Sequence, residues 1–153
     1  METVDSKKKK LAFQEVMVRA IVSQKKDLDV PVDHALMSLI AELQMPNTEA
    51  IQFGNTVFIS HYSPESPMCA MYALNVDTAK NYINNGEMYV RHLIKNGITG
   101  FVTTYKTESF GIPFKQIEKN RLGIVETGKT QGGRFMTVVK LYQKKKQEEQ
   151  TNV

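Results

Sequence analysis

Apolar residues recur at helical spacing in some stretches of this chain and alternate, or run on continuously, in others. From Leu11 to Gln24, Phe13, Val16, Met17, Ala20 and Ile21 fall on one face while Gln14, Glu15 and Arg19 fall away from it, which predicts an amphipathic helix. The stretch "KKDLDVPV" breaks that period. A second helix is predicted after it, with Asp33 as N-cap, Leu36, Leu39, Ile40 and Leu43 as its buried stripe, and Pro46-Asn47 as its end. In "AIQFGNTVFISHY" two short apolar runs flank Gly54-Asn55, a dipeptide that tolerates positive φ, so a β-hairpin is expected. "SPESP", residues 63–67, reads as a loop. The nearly continuous apolar run "MCAMYALNV" reads as a central strand covered on both faces.

The longest periodic segment follows. Ala79, Tyr82, Ile83, Gly86, Val90, Leu93 and Ile94 share one stripe, and Asn96-Gly97 supplies a left-handed end. "ITGFVTTY" predicts a strand, and residues 112–122 a short helix with Pro113 in its first turn and Gly123 after its end. "GIVETG", a turn at "KTQGG" and "RFMTVVKLY" predict a closing hairpin. The expected order is α-α-β-β-β-α-β-α-β-β: one α/β (α+β) domain with a mixed central sheet over residues 11–142. A basic tail precedes it at 1–10, and a basic, polar tail follows at 143–153.

Composition narrows this only a little. With 153 residues, 41% hydrophobic and 24% charged, the chain is long enough for one core without metals or disulfides. Its single cysteine, Cys69, permits no intramolecular disulfide, which fits a reducing compartment. The net charge of +4 is concentrated in Lys7, Lys8, Lys9 and Lys10 and in Lys144, Lys145 and Lys146. Such runs either solubilise a tail or contact nucleic acid or an acidic partner. No apolar run approaches the roughly 20 residues that span a bilayer, so no membrane is expected. The charged N-terminus is not followed by an apolar core, so no secretory signal is expected.

The element order, with "FGIPFKQIEKNRLGIVETGKTQGGRFMTVVKLY" as a helix, a "LG" junction and two strands, resembles the GNAT (N-acetyltransferase) superfamily over roughly residues 11–142. The family's first strand should precede the helical pair, and "METVDSKKKK" is a poor strand. In active members the turn between the central strand and the long helix carries an Arg or Gln and two close glycines, which let backbone amides reach the diphosphate of acetyl-CoA. Here that turn reads Asn75-Val76-Asp77-Thr78-Ala79-Lys80, with no glycine and with Asp77 expected as the helix N-cap. If the helix instead starts late, Asn84, Asn85 and Gly86 are the candidate cofactor loop. Many members protonate the departing thiolate with a tyrosine near the short fourth helix. Residues 109–118 contain none, which leaves Tyr105 as the candidate acid, and His61 or Glu65 as the candidate base.

The remaining constellations carry less chemistry. Cys69, inside an apolar strand, reads as a small buried thiol. His34, His61 and His92 are scattered without metal-ligand spacing, and His92 is expected as an exposed neighbour of Arg91. "GKTQGGR" lacks the first glycine of a phosphate loop and leads into a strand, so it reads as a turn. Small phage proteins of the GNAT-like type keep the fold without the cofactor motif. The resemblance therefore implies a non-catalytic bacteriophage protein, without cofactor or metal, working by contact with a virion or host protein in the host cytoplasm or virion. An acetyl-CoA-dependent acyltransferase with a divergent cofactor loop is the alternative. A nucleic-acid-binding protein using its lysine tails is a third, and a second copy of the chain is a further candidate partner.

Overall fold

A computed structural model describes residues 10–143. Among these residues four α-helices and six strands form one mixed α and β architecture around a single sheet. We label them α1 (Phe13–Ser23), α2 (Val32–Leu43), β1 (Thr48–Phe53), β2 (Thr56–Ser63), β3 (Ser66–Asn75), α3 (Ala79–Lys95), β4 (Gly100–Tyr105), α4 (Ile112–Lys119), β5 (Gly123–Lys129) and β6 (Phe135–Leu141). The sheet order is β1-β2-β3-β4-β6-β5. Every neighbouring pair is antiparallel except β3 and β4, which are parallel because α3 carries the chain back between them.

Both faces of the sheet are covered, by different helices. On one face Val16, Ala20, Ile21 and Leu39 of α1 and α2 pack on Val57, Ile59 and Leu74. On the other, Tyr89, Leu93, Phe114 and Ile117 of α3 and α4 pack on Phe58, Met71, Phe101 and Val139. Phe58 and Tyr89 stack with ring centroids 4.5 Å apart. Cys69 is buried among them with its Sγ 3.9 Å from the Tyr89 hydroxyl, and burial raises its thiol pKa. This agrees with its reading as an inert core thiol.

Several local expectations move. "SPESP" shrinks to a two-residue turn at Pro64-Glu65, because β2 runs to Ser63 and β3 starts at Ser66. Glu65 is exposed there. Asp33 lies in the first turn of α2 and Pro31 occupies the cap position. Ile40 is 54% exposed, so the stripe of α2 is narrower than expected. In α3 the buried positions are Tyr82, Asn85, Gly86, Tyr89, Val90 and Leu93, while Ala79 is exposed. α4 ends at Lys119, and the left-handed residue after it is Arg121 (φ 57°). Gly123 instead starts β5, where a Cβ would lie 2.4 Å from the Lys140 carbonyl oxygen. That glycine serves close strand approach, not helix termination. The hairpin at Gly54-Asn55 is as expected, with the positive φ (56°) on Gly54 alone.

Candidate functional site

The parallel pair does not stay paired. β3 and β4 are in register only at Met68–Gly100, Cys69–Phe101 and Ala70–Val102. β3 then continues to Asn75 against β2, and β4 to Tyr105 against β6. Each strand keeps its antiparallel neighbour, so the two halves of the sheet separate at the cost of only the pairs between β3 and β4. The gap opens a cleft of about 530 Å³, lined by the consecutive runs 70–74 and 102–107. Long runs of that kind mean that strand backbone itself forms the walls.

On the side of α3 and α4 the cleft meets an aromatic wall of Tyr82, Phe110 and Phe114. Tyr82 and Phe110 meet edge to face, and the Tyr82 hydroxyl lies 3.4 Å from the Phe110 carbonyl oxygen. A smaller apolar recess of about 220 Å³ adjoins it, between the head of α3 and the start of α4. On the side of α1 and α2 the wall is polar. Glu42 near the end of α2 accepts from the Tyr72 hydroxyl at 2.7 Å through one carboxylate oxygen and pairs with His61 Nε2 through the other. The ionised carboxylate can only accept, so Nε2 donates and Nδ1 is left facing the Thr48 hydroxyl at 3.1 Å. Burial, and then the bond to Glu42, raises the Tyr72 phenol pKa. At the open end Lys106 pairs with Asp29 at 2.8 Å. Lys106 holds the Asp29 carboxyl below its ordinary value, through its hydrogen bond first and its charge second. Arg134 shares this rim, with Nη2 3.3 Å from the Thr104 carbonyl oxygen.

The head of α3 is capped by one side chain and has a carboxylate beside it. Thr78 is the N-cap, its hydroxyl accepting from the Asn81 amide at 3.3 Å. Asp77 is therefore not the cap expected from the sequence. Its carboxylate accepts instead from the Asn55 amide and from Asn85 Nδ2, both at 2.7 Å. Asn85 is 4% exposed and also donates to Thr56 Oγ1 at 2.9 Å. A network thus ties the β1–β2 turn, the end of β3 and the second turn of α3 together.

The proposed site residues scatter against this frame. Asn84, Asn85 and Gly86 lie inside α3, with Asn84 exposed, Asn85 in the network above and Gly86 against α4, where a Cβ would stand 3.3 Å from Pro113 Cβ. Tyr105 and His61 both line the cleft, and Glu65 lies outside it. The Tyr105 hydroxyl shares a hydrogen bond with Thr137 at 2.7 Å and its ring stacks on Phe135. His92 is not a surface neighbour of Arg91 alone, because its Nε2 lies 3.0 Å from Glu49 of β1. Lys10 Nζ approaches the Gln52 carbonyl oxygen at 3.5 Å. Lys7, Lys8, Lys9, Lys144, Lys145 and Lys146 lie outside the described residues. Glu42 and Tyr72 are not among the residues that the sequence singles out, whereas Asn55 and Asn85, which hold Asp77, stand there in other roles. Glu42 had no local signal, since its partners lie 19 and 30 residues away.

Among the described residues no group of three or more His, Cys, Asp or Glu side chains could hold a metal ion, and no helix is long and apolar enough to cross a membrane. No protein-family model matches the chain, and no curated protein matches it significantly.

Proposed function

We propose that this is a non-catalytic, GNAT-like protein that acts through protein contacts, with a virion or host protein as the partner class implied by the resemblance. The mixed sheet with one diverging parallel pair, bridged by a long crossover helix, supports the fold assignment. The observation that carries the functional reading is the head of α3, capped by Thr78 with the Asp77 carboxylate immediately before it. Asp77 immediately precedes the Thr78 cap, so its carboxylate would repel a diphosphate seated there; a like-charge pair costs about 3 kcal/mol at about 5 Å and an effective dielectric of about 20. A helix N-terminus returns only about 0.3–1 kcal/mol, up to ~2 in partly buried geometry. Repulsion wins, and no glycine lies between Asn75 and Lys80 to let backbone approach instead.

Isothermal titration calorimetry with acetyl-CoA tests this. No saturable heat is expected up to high micromolar ligand; saturable binding overturns the reading. An acyltransferase with a divergent cofactor loop is the second reading, favoured by one observation: His61, polarised by Glu42, opens onto the cleft where a base would be needed. It requires acetyl-CoA binding together with acyl transfer that His61→Ala abolishes.

A further inference from the structure

We propose that the gap between β3 and β4 receives an extended polypeptide segment, which completes the sheet as an inserted strand. This names the partner chemistry of the protein-contact reading and rests on it. Residues 71–75 of β3 pair with β2 alone, and 103–105 of β4 with β6 alone. Two parallel strand edges therefore face each other across the cleft, each with backbone donors and acceptors pointing into it. The occupant that satisfies both edges is one with donors and acceptors at strand spacing along its whole length. Met71 to Asn75 is a run of five residues, about 13 Å from first to last at the ~3.3 Å rise of a strand, so the gap takes about five residues.

The walls specify those residues. An inserted strand presents alternate side chains to opposite faces. One set meets the aromatic wall of Tyr82, Phe110 and Phe114 and should be apolar. The other set meets the polar wall, whose two ends differ in charge. At the closed end stands the Glu42 carboxylate with His61, and His61 sits in register with Ala70 where pairing stops. At the open end stands Arg134, immediately before β6, whose contacts are with Thr104, beside Lys106, immediately after β4 and paired with Asp29. Val102, level with Ala70, and Lys106 are four residues apart, about 13 Å along a strand. A segment that complements both ends carries a basic residue and an acidic residue four positions apart. Apolar residues stand at the positions next to each of them, turned to the other face.

The probe is a displayed library of random nine-residue peptides selected on the full-length protein. Enrichment of the basic–apolar–any–apolar–acidic spacing, in either chain direction, is expected. Synthetic copies of the enriched sequence should slow hydrogen exchange at residues 71–75 and 103–105. N-methylation of two central peptide amides should weaken binding about tenfold or more, since each backbone hydrogen bond is worth a factor of roughly 2–10. Arg134→Glu should switch the selected residue at the open end from acidic to basic. A selection without enrichment overturns the proposal, as does exchange protection confined to other surfaces or affinity indifferent to N-methylation. With acetyl-CoA still failing to bind, those failures sink the inserted strand and leave the non-catalytic reading standing. An enriched peptide displaced by acetyl-CoA sinks the non-catalytic reading instead.

Discussion

Replacing Asn85 by alanine removes the hub that joins the β1–β2 turn, β3 and α3. The side chain is 4% exposed and its Nδ2 donates to the Asp77 carboxylate at 2.7 Å and to Thr56 Oγ1 at 2.9 Å. A hydrogen bond to a charged group contributes about 1.5–3 kcal/mol and a neutral one about 1, so the loss is about 3 kcal/mol. In a two-state urea titration this lowers the midpoint at unchanged slope, and it lowers Tm by roughly 10 °C for a domain of this size. Asn84→Ala, one residue away but exposed, should stay within about 0.5 kcal/mol of the parent. The network claim also predicts non-additivity: in a double-mutant cycle, Asp77→Ala should cost at least about 1.5 kcal/mol less once Asn85 is gone. A cost below about 1 kcal/mol for Asn85→Ala, or strict additivity with Asp77→Ala, refutes the argument that this network holds the head of α3.

Three further outcomes are expected. Gly54→Ala combines a left-handed φ of 56° with a Cβ 2.7 Å from Asn85 Oδ1, so it should destabilise by about 1–2 kcal/mol or more, read by thermal melts. Gly97→Ala, at a φ of 76° with open space around its Cβ, isolates the conformational part alone, and an equal cost at both sites would rule out the contact with Asn85. Cys69 is 3% exposed and its thiol pKa is raised by burial; a disulfide reagent should therefore label it only as fast as the protein opens, and prompt labelling of the folded protein contradicts the packing. Burial first, and the charge of Glu49 second, raise the Tyr62 phenol from 10.0 to about 12, and burial raises Tyr72, Tyr82 and Tyr89 as well. The folded state thus favours the neutral phenols, a contribution complete below pH 10 and lost as pH climbs from 10 through 12. Absorbance at the phenolate band should show these four of the six tyrosines ionising late and together with unfolding; smooth ionisation near pH 10 with the fold intact would contradict it.

What the sequence determined by itself is local. The stripe of α1, the turn at Gly54-Asn55, the left-handed end at Gly97 and the apolar run of β3 each follow from neighbours within a few positions, where periodicity and backbone preference act directly. Errors begin where a local signal has two uses. Asp77 and Thr78 are both competent caps, and the Asn55 amide and Asn85 across the fold decide that Asp77 is drawn away. Asn85 tolerates unusual φ in isolation, yet it is helical and buried because Thr56 and Asp77 satisfy it. Ile40 matches the stripe of α2 but stands out in solvent, because a periodic stripe does not by itself say which of its residues finds a neighbour. The cleft had no signature in any stretch of chain. It exists because β3 and β4, whose paired residues such as Met68 and Gly100 lie 32 positions apart, each hold an antiparallel neighbour more extensively than they hold one another. Divergence of two strands, and the meeting of Glu42, His61 and Tyr72 on its rim, are properties of hydrogen-bond partners distant in sequence, and only the folded arrangement of the sheet decides them.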